Sequence, residues 1–164
     1  DRRGEGLVTK FSILTNVTMA YIQKSLSWRA DSALERRLAS GAVKTLSVKT
    51  PSISQVVGNL SGGNQQKVVI GKWLDTDARV MIFDEPTRGV DVGAKQEINR
   101  IIRSFASKGV AVLLISSELP QLLAVSDRVL VIYDGEIVDE LVGDRLTEED
   151  VVYGATTGKG RPVL

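Results

Sequence analysis

The stretch that most strongly constrains the fold reads Leu60-Ser61-Gly62-Gly63-Asn64-Gln65-Gln66-Lys67. Ser61 is a residue type that commonly precedes a helix, and apolar residues follow it at helical spacing. The first turn of a helix presents amides and a partial positive charge, and two glycines let an anion approach the backbone closely. The stretch therefore predicts either a phosphate cradle or a plain helix start after a loop, and by itself it does not decide between them.

A second stretch is an apolar segment that ends in two acids, Val80-Met81-Ile82-Phe83-Asp84-Glu85-Pro86-Thr87. Its apolar run predicts a short strand that is covered on both faces. Asp84 and Glu85 follow it directly, where parallel sheets commonly place their functional residues. The two acids are either solvated loop residues or a pair that orders Mg²⁺ and polarises a water molecule. Their position after the glycine stretch favours a phosphate-handling site, although no Gly-x4-Gly-Lys-Ser/Thr loop occurs in the chain.

The remaining patterns predict an α/β fold. Residues 11–59 are typical of helices, with Ser32 and Glu35 as a capping box. Residues 60–164 alternate between helix and strand. Ser61 is expected to cap a helix with an apolar face of Val69, Ile70, Trp73 and Leu74, and a second helix covers residues 94–107. A strand is expected over 80–83, a second buried strand over 110–115, a short helix over 119–125, and a hairpin around the Asp134-Gly135 turn. Strand, helix and strand between residues 80 and 115 form a βαβ unit, hence a parallel pair.

Composition excludes several classes of protein. The chain has 164 residues, of which 43% are hydrophobic and 25% charged, with a net charge of +1, so a nucleic-acid partner is not expected. It contains no cysteine and no histidine, which rules out disulfides, thiolate metal sites and histidine-based catalysis within it. The longest apolar runs have the length of a strand, well below the roughly 20 residues of a membrane span.

These motifs resemble those of the ABC-type ATPases. Residues 60–67 look like the signature motif, residues 80–87 like the Walker B motif, and Arg88-Gly89-Val90-Asp91 like the D-loop. Asn64, residues 88–95 and Ser116-Ser117-Glu118-Leu119-Pro120 resemble one subclass more narrowly. That subclass is the second ATPase domain of the tandem ATP-binding proteins of bacterial monosaccharide importers. The similarity covers essentially the whole chain.

The resemblance implies a partial P-loop NTPase fold. Residues 1–59 correspond to part of a helical subdomain, and residues 60–164 to the half of the ATPase core that carries the signature, Walker B, D-loop and switch positions. The strand that carries the phosphate loop is expected before residue 1, between the strands at 110 and 129 in the sheet. Its absence would leave two hydrophobic edges, and the chain is then expected either to repack or to exchange strands with a second copy.

The resemblance also implies site residues and cofactors. ABC ATPases work head to tail, so the signature residues would contact ATP held by a partner domain. Asp84 would order Mg²⁺ through water, Glu85 would be the general base, and Asp91 would lie at the dimer seam. Ser117 occupies the switch position, where the family usually has histidine, so this domain's own site is expected to be degenerate. The expected signature contacts are Ser61, Gly62, Gly63, Asn64 and Gln65.

Further implied partners are transmembrane permease subunits and, indirectly, a periplasmic solute-binding protein, at the cytoplasmic face of the membrane. Phe11, Met19, Tyr21 and Trp28 are candidates either for the permease contact or for the core. The chain by itself is expected to be inactive without the phosphate loop. Alternatives are import of a nucleoside or related small solute, a non-transport ABC protein, or an inert interaction remnant.

Overall fold

The computed structural model describes residues 6–25 and 32–160. Its helices and strands, in chain order, are α1 Ile13–Ser25, α2 Ser32–Thr45, α3 Gly62–Gly71, β1 Val80–Asp84, α4 Val92–Ser107, β2 Ala111–Ile115, α5 Leu119–Val125, β3 Arg128–Tyr133, β4 Glu136–Val142 and α6 Glu148–Thr157. The chain divides into two compact units. One contains the described residues up to Met81 together with Pro86–Ala111, and the other contains Ile82–Glu85 and the residues from Val112 onward.

The first unit is helical. α3 packs against α1, α2 and α4, and α1 packs against α2. A Cβ on Gly71 would lie 3.3 Å from the Leu46 side chain and 3.4 Å from that of Ala42, so glycine allows α3 to approach the end of α2 closely. The division expected between residues 59 and 60 stays a prediction; within this unit α3 joins α1 and α2 in one core. That core includes Ile13, Val17, Ala42, Val57, Val68 and Ile70.

The helix predicted over 94–107 is confirmed as α4. Asp91 caps its start, since the carboxylate accepts the Ala94 N–H at 2.9 Å. Ile98, Ile102 and Phe105 are buried along one face, at the predicted spacing. After Lys108 the chain turns at Gly109, whose φ of 83° favours glycine.

Strands β1 and β2 are parallel, as predicted. Ala111 N–H donates to Arg79 O at 3.0 Å and Glu85 N–H donates to Ile115 O at 2.9 Å, so the two strands run in the same direction. The prediction that β2 is a buried strand is wrong, because Leu113 and Ile115 are each 48% exposed. The prediction that β1 is covered on both faces is wrong as well, because Val80 and Ile82 are 60% and 65% exposed. Met81 and Phe83 on the other face are buried. An apolar run marks residues that avoid water but does not say whether a layer covers each face.

The second unit contains the predicted hairpin. β3 and β4 pair antiparallel, and both turn residues, Asp134 and Gly135, have positive φ as a primed turn requires. α6 packs on this hairpin at Gly154, where a Cβ would come 3.0 Å from the Val131 side chain. The buried cluster of this unit consists of Val129, Val131, Leu141 and Val151. The short helix predicted over 119–125 is present as α5.

Two further observations concern the described residues. β1–β2 and β3–β4 form separate two-stranded sheets within residues 6–25 and 32–160. In the same ranges, no helix combines the length and the apolar character needed to cross a membrane. Ser32 is the first residue of α2, and the residue before it, like Trp28, lies outside the described ranges.

Candidate functional site

The first turns of α3 and α4 border a cleft of about 170 Å³ in the first unit, which we call the cradle cleft. Lys49, from the segment after α2, completes its wall. Ser61, Asn64 and Asp91, which the sequence analysis treats as parts of two separate motifs, therefore meet at one place. The full lining consists of Lys49, Ser61, Gly63, Asn64, Lys67, Asp91, Gly93, Ala94 and Glu97.

Ser61 stands at the N-cap position of α3 in extended backbone geometry, but its hydroxyl does not accept a capping hydrogen bond. The expectation that its side chain caps the helix is therefore wrong. Its Oγ instead accepts a 2.9 Å hydrogen bond from the Asn64 side chain. The Asn64 Oδ1 in turn accepts the Lys49 N–H at 2.8 Å. Both polar atoms of the Asn64 side chain are thus hydrogen-bonded to neighbouring residues. Ser61 is exposed at the N-terminus of α3.

Gly63 is required by packing as well as by any ligand. A Cβ at this position would lie only 2.5 Å from the Cβ of Ala94, a separation that real Cβ atoms do not adopt. The start of α3 and the start of α4 can therefore touch only because residue 63 has no side chain. The glycine predicted to admit a phosphate is therefore also needed for the contact between α3 and α4.

Lys67 forms a buried cation beneath the cradle cleft. The residue is 2% exposed, and its Nζ lies 2.5 Å from Glu97 Oε2 and 2.9 Å from Ser47 O. The hydrogen bond from Lys67 and then its positive charge hold the pKa of Glu97 below its usual value. A buried charge needs such partners, and both are present here.

A second group of predicted residues lies where β1 and β2 end. Glu85 Oε1 accepts the Ser117 N–H at 2.7 Å, so the structure brings the expected general base and the switch position together. Glu85 also has a φ of 46°, a left-handed conformation that is costly for a residue with a side chain. Asp84 is exposed beside it.

Comparisons with known proteins agree with this geometry. A family profile described as "ABC transporter" matches residues 5–88, just over half of the chain. This chain belongs to the ABC transporter family. The ABC assignment confirms the resemblance seen in the sequence, and with it the α/β cassette fold.

Curated relatives of this ABC family member are sugar-import proteins. It is 50% identical over 159 residues to the xylose import ATP-binding protein of Moorella thermoacetica, covering 97% of this chain and 32% of the relative. It is 48% identical over 161 residues to the ribose import ATP-binding protein of Hahella chejuensis, covering 96% and 32%. The chain therefore spans about a third of the length of these relatives.

Solved ATP-binding cassettes of ABC transporters share the fold. One, in its ADP conformation, superposes with a TM-score of 0.72 at 24% identity, covering 88% of this chain and 60% of that one. A dimeric cassette in a post-hydrolysis state superposes with a TM-score of 0.71 at 22% identity, covering 86% and 59%. At these identities the likeness shows the fold alone.

Within the ABC signature motif, the two glutamines differ from the cradle residues. Gln65 is 2% exposed, and its Nε2 donates to Val57 O at 3.2 Å and to Leu60 O at 3.1 Å. Its amide nitrogen is committed to the turn that precedes α3. Its Oε1 is buried without a hydrogen-bond partner in the described part of the chain, and as an acceptor it cannot donate to a phosphate, so we leave Gln65 out of the proposed phosphate contacts. Gln66 is half-buried and does not line the cradle cleft.

The Walker B acids offer a limited fit to the Mg²⁺ that ABC ATPases use. No group of three or more acidic side chains that could hold a metal ion occurs in the described part of the chain. Mg²⁺ usually keeps several waters and is held by one or two carboxylates together with substrate phosphates. Asp84 therefore suits a water-mediated contact, and most ligands of the ion have to come from water and nucleotide.

Sequence reasoning missed three residues of the cradle cleft: Lys49, Lys67 and Glu97. Lys67 belongs to the motif itself, and its spacing is a usable signal, because a lysine three residues after Asn64 lies on the same side of a helix. Lys49 and Glu97 are 15 and 33 positions away from Asn64. No local pattern links residues so distant, because only the packing of α3 against α4 and the segment after α2 brings them together.

Proposed function

We propose that this chain is part of the ATP-binding subunit of a bacterial ABC importer that couples ATP hydrolysis to the uptake of a monosaccharide. The proposal is supported by family membership and by identities of 50% and 48% to proteins named for xylose and ribose import. ATP-binding subunits do not contact the transported solute, so import of a nucleoside or related small solute by the same ATPase class stays the alternative.

The cradle cleft is the observation that carries the proposed role in ATP handling. It combines the start of a ten-residue helix, an exposed Ser61 hydroxyl and Gly63, a residue without a side chain. A helix start attracts anions through its amides and partial positive charge. The cradle can therefore receive the terminal phosphate of ATP without a lysine loop of its own. In the assembled importer this ATP is held by a partner ATPase domain, and Asp91 lies at the seam between the two.

The proposed second role concerns the domain's own site. Asp84 would hold a water ligand of Mg²⁺, which supplies charge neutralisation to the phosphates when bound. Glu85 would accept the proton of the attacking water as general base. Its carboxylate already receives the Ser117 N–H, and the Ser117 hydroxyl cannot carry charge as a histidine can. This site therefore contributes less to turnover than the cradle that is offered to the partner domain.

The proposed partners and location of this chain are those expected for the ATP-binding subunit of an ABC importer. Phe11, just before α1, is 46% exposed, and Met19, within α1, is 37% exposed. Both side chains suit a contact with a permease subunit. Tyr21 is half-buried and is the weaker candidate. The subunit would then work at the cytoplasmic face of the membrane, below a permease that receives solute from a periplasmic binding protein.

The test compares the two sites in the assembled importer. Gly62→Leu places a bulky side chain in the first turn of α3 and should abolish transport-coupled ATP hydrolysis. Glu85→Gln keeps the shape of the base but removes its charge, and should lower hydrolysis only partly. Equal and complete loss in both variants would contradict the asymmetry, and normal hydrolysis in Gly62→Leu would contradict the proposed cradle itself.

A further inference from the structure

Two side chains of α3 reach the same short segment of chain. Asn64 Oδ1 accepts the Lys49 N–H at 2.8 Å, and Lys67 Nζ donates to Ser47 O at 2.9 Å. Since Asn64 and Lys67 are three residues apart, they lie on the same side of the helix. Residues 47–49 are thus tied to α3 at both ends.

The 47–49 segment is itself firmly held in the first unit. Leu46 and Val48, on either side of Ser47, are 2% and 7% exposed. Ser47 has a φ of 50°, a left-handed conformation that a serine adopts only when its surroundings impose it. The Lys67 ammonium, which also pairs with Glu97, donates a hydrogen bond to the Ser47 carbonyl. The segment therefore gives Asn64 a fixed point of attachment rather than a loose loop.

This attachment decides the direction of the hydrogen bond at Ser61. A backbone N–H can only donate, so the atom of Asn64 that faces Lys49 has to be the oxygen, and the amide nitrogen has to face Ser61. The Asn64 nitrogen donates to Ser61 Oγ at 2.9 Å. Because Oγ is used there as an acceptor, its own proton is directed away from Asn64 and is available to an anion at the start of α3.

We propose that Asn64 and Lys67 are positioning residues that orient the Ser61 hydroxyl as a hydrogen-bond donor to the terminal phosphate of ATP. Lys67 and Glu97 fix the 47–49 segment, the segment fixes the Asn64 amide, and the amide fixes the Ser61 proton. The inference rests on the proposed function, since it assumes that the cradle receives a nucleotide phosphate.

The variants for the test can be chosen so that folding survives. Lys67→Met removes the cation but keeps a side chain of similar length, and the partners it leaves are in contact with water, because Glu97 is 43% exposed and Ser47 is exposed. Asn64→Ala removes both side-chain bonds. Asn64→Asp keeps an acceptor for Lys49 N–H but turns the Ser61 proton inward. Lys67→Arg retains a cation. Gln66→Ala is a matched control in the same helix, because Gln66 does not line the cradle cleft.

The assay is steady-state hydrolysis by the assembled importer, with the KM for ATP and the inhibition constant for ADP measured side by side. ADP lacks the terminal phosphate, so its binding does not involve the Ser61 proton. We expect Asn64→Ala, Asn64→Asp and Lys67→Met to raise the KM for ATP about three- to tenfold, as for the loss of one hydrogen bond. We expect the inhibition constant for ADP to stay unchanged and the melting temperature to fall only slightly. We expect Lys67→Arg to recover most of the affinity, and Gln66→Ala to behave as the parent protein.

Three results would overturn the inference. One is an unchanged KM for ATP in Asn64→Ala and Lys67→Met while Gly62→Leu abolishes hydrolysis, because the cradle would then work without these residues. A second is a parallel loss of ATP and ADP affinity, which indicates a general structural defect. The third is a silent Asn64→Asp variant, which would show that the proton direction does not matter. If Gly62→Leu leaves hydrolysis normal, the proposed function fails instead.

Discussion

Substituting Gly63 by alanine tests the contact between α3 and α4 directly. The added Cβ would lie 2.5 Å from the Ala94 Cβ, whereas carbon atoms pack at about 3.5–4.0 Å. The two helix starts must therefore separate by about 1 Å or more. A Cβ is fixed to the backbone, so no side-chain rotation can relieve the overlap.

The expected size follows from two opposing effects. Overpacking of this kind costs about 1–3 kcal/mol. Alanine in a helix gains about 0.5–1 kcal/mol over glycine because the unfolded chain loses freedom. We therefore expect Gly63→Ala to lower the free energy of unfolding by about 1–2 kcal/mol. Gly41→Ala in α2 is the matched control, since beyond its chain neighbours and the backbone of its own helix no heavy atom lies within 4 Å of the new Cβ. It should raise the free energy of unfolding by about 0.5–1 kcal/mol.

The assay is urea denaturation of the chain, followed by circular dichroism, with a double-mutant cycle. Ala94→Gly removes the opposing Cβ, so it should cost stability alone but rescue the Gly63→Ala variant, giving a coupling energy of about 1 kcal/mol or more. The reasoning is refuted if Gly63→Ala is as stable as Gly41→Ala, or if the two substitutions at residues 63 and 94 act independently.

Two further predictions concern stability. Gly158→Ala should lower the free energy of unfolding, measured by urea denaturation, more than Gly109→Ala does. Both glycines have positive φ, so an alanine adds about 1–2 kcal/mol of strain at either position. Only the Cβ at residue 158 also meets another group, Tyr133 Cδ1 at 2.7 Å. Equal costs would argue against that contact. Glu97→Gln should destabilise at pH 7 by about 1–3 kcal/mol, because it leaves the buried Lys67 ammonium without its carboxylate. The half-exposed position of Glu97 keeps this cost below that of breaking a fully buried pair. The Lys67 hydrogen bond and charge lower the Glu97 pKa in the folded state, so this contribution exists above the unfolded value of about 4.3 and disappears as the pH falls through the folded value. A stability gap that stays constant down to about pH 3 would contradict this linkage.

Local patterns predicted the elements of this fold well where the signal lies within neighbouring residues. The stripe from Ala94 to Phe105 marks α4, and Asp134-Gly135 marks the hairpin turn because both residues tolerate positive φ. Residues 119–125 coincide with α5. Each of these signals depends on spacing along the chain, which the sequence contains in full.

The same reasoning failed where the outcome depends on what packs against an element. β1 was expected to be covered on both faces, but Val80 and Ile82 are largely exposed. Ser61 was expected to cap α3, but its hydroxyl is bound by Asn64, because the segment after α2 supplies the Lys49 N–H that orients the amide. Residues close to each motif in the sequence indicate neither which side chains cover β1 nor that the Lys49 N–H lies beside Asn64.

The sequence alone predicted the family, the order of helices and strands from residue 60 onward, and the candidate cradle and Walker B residues, because these depend on motifs of a few adjacent positions. Only the tertiary structure decided that Lys49, Lys67 and Glu97 join the cradle cleft, and that Gln65 leaves it for the preceding turn. The physical reason is burial: a lysine at 2% exposure requires a carboxylate and a carbonyl within reach. Those partners come from α4 and from the segment after α2, which only folding brings to α3.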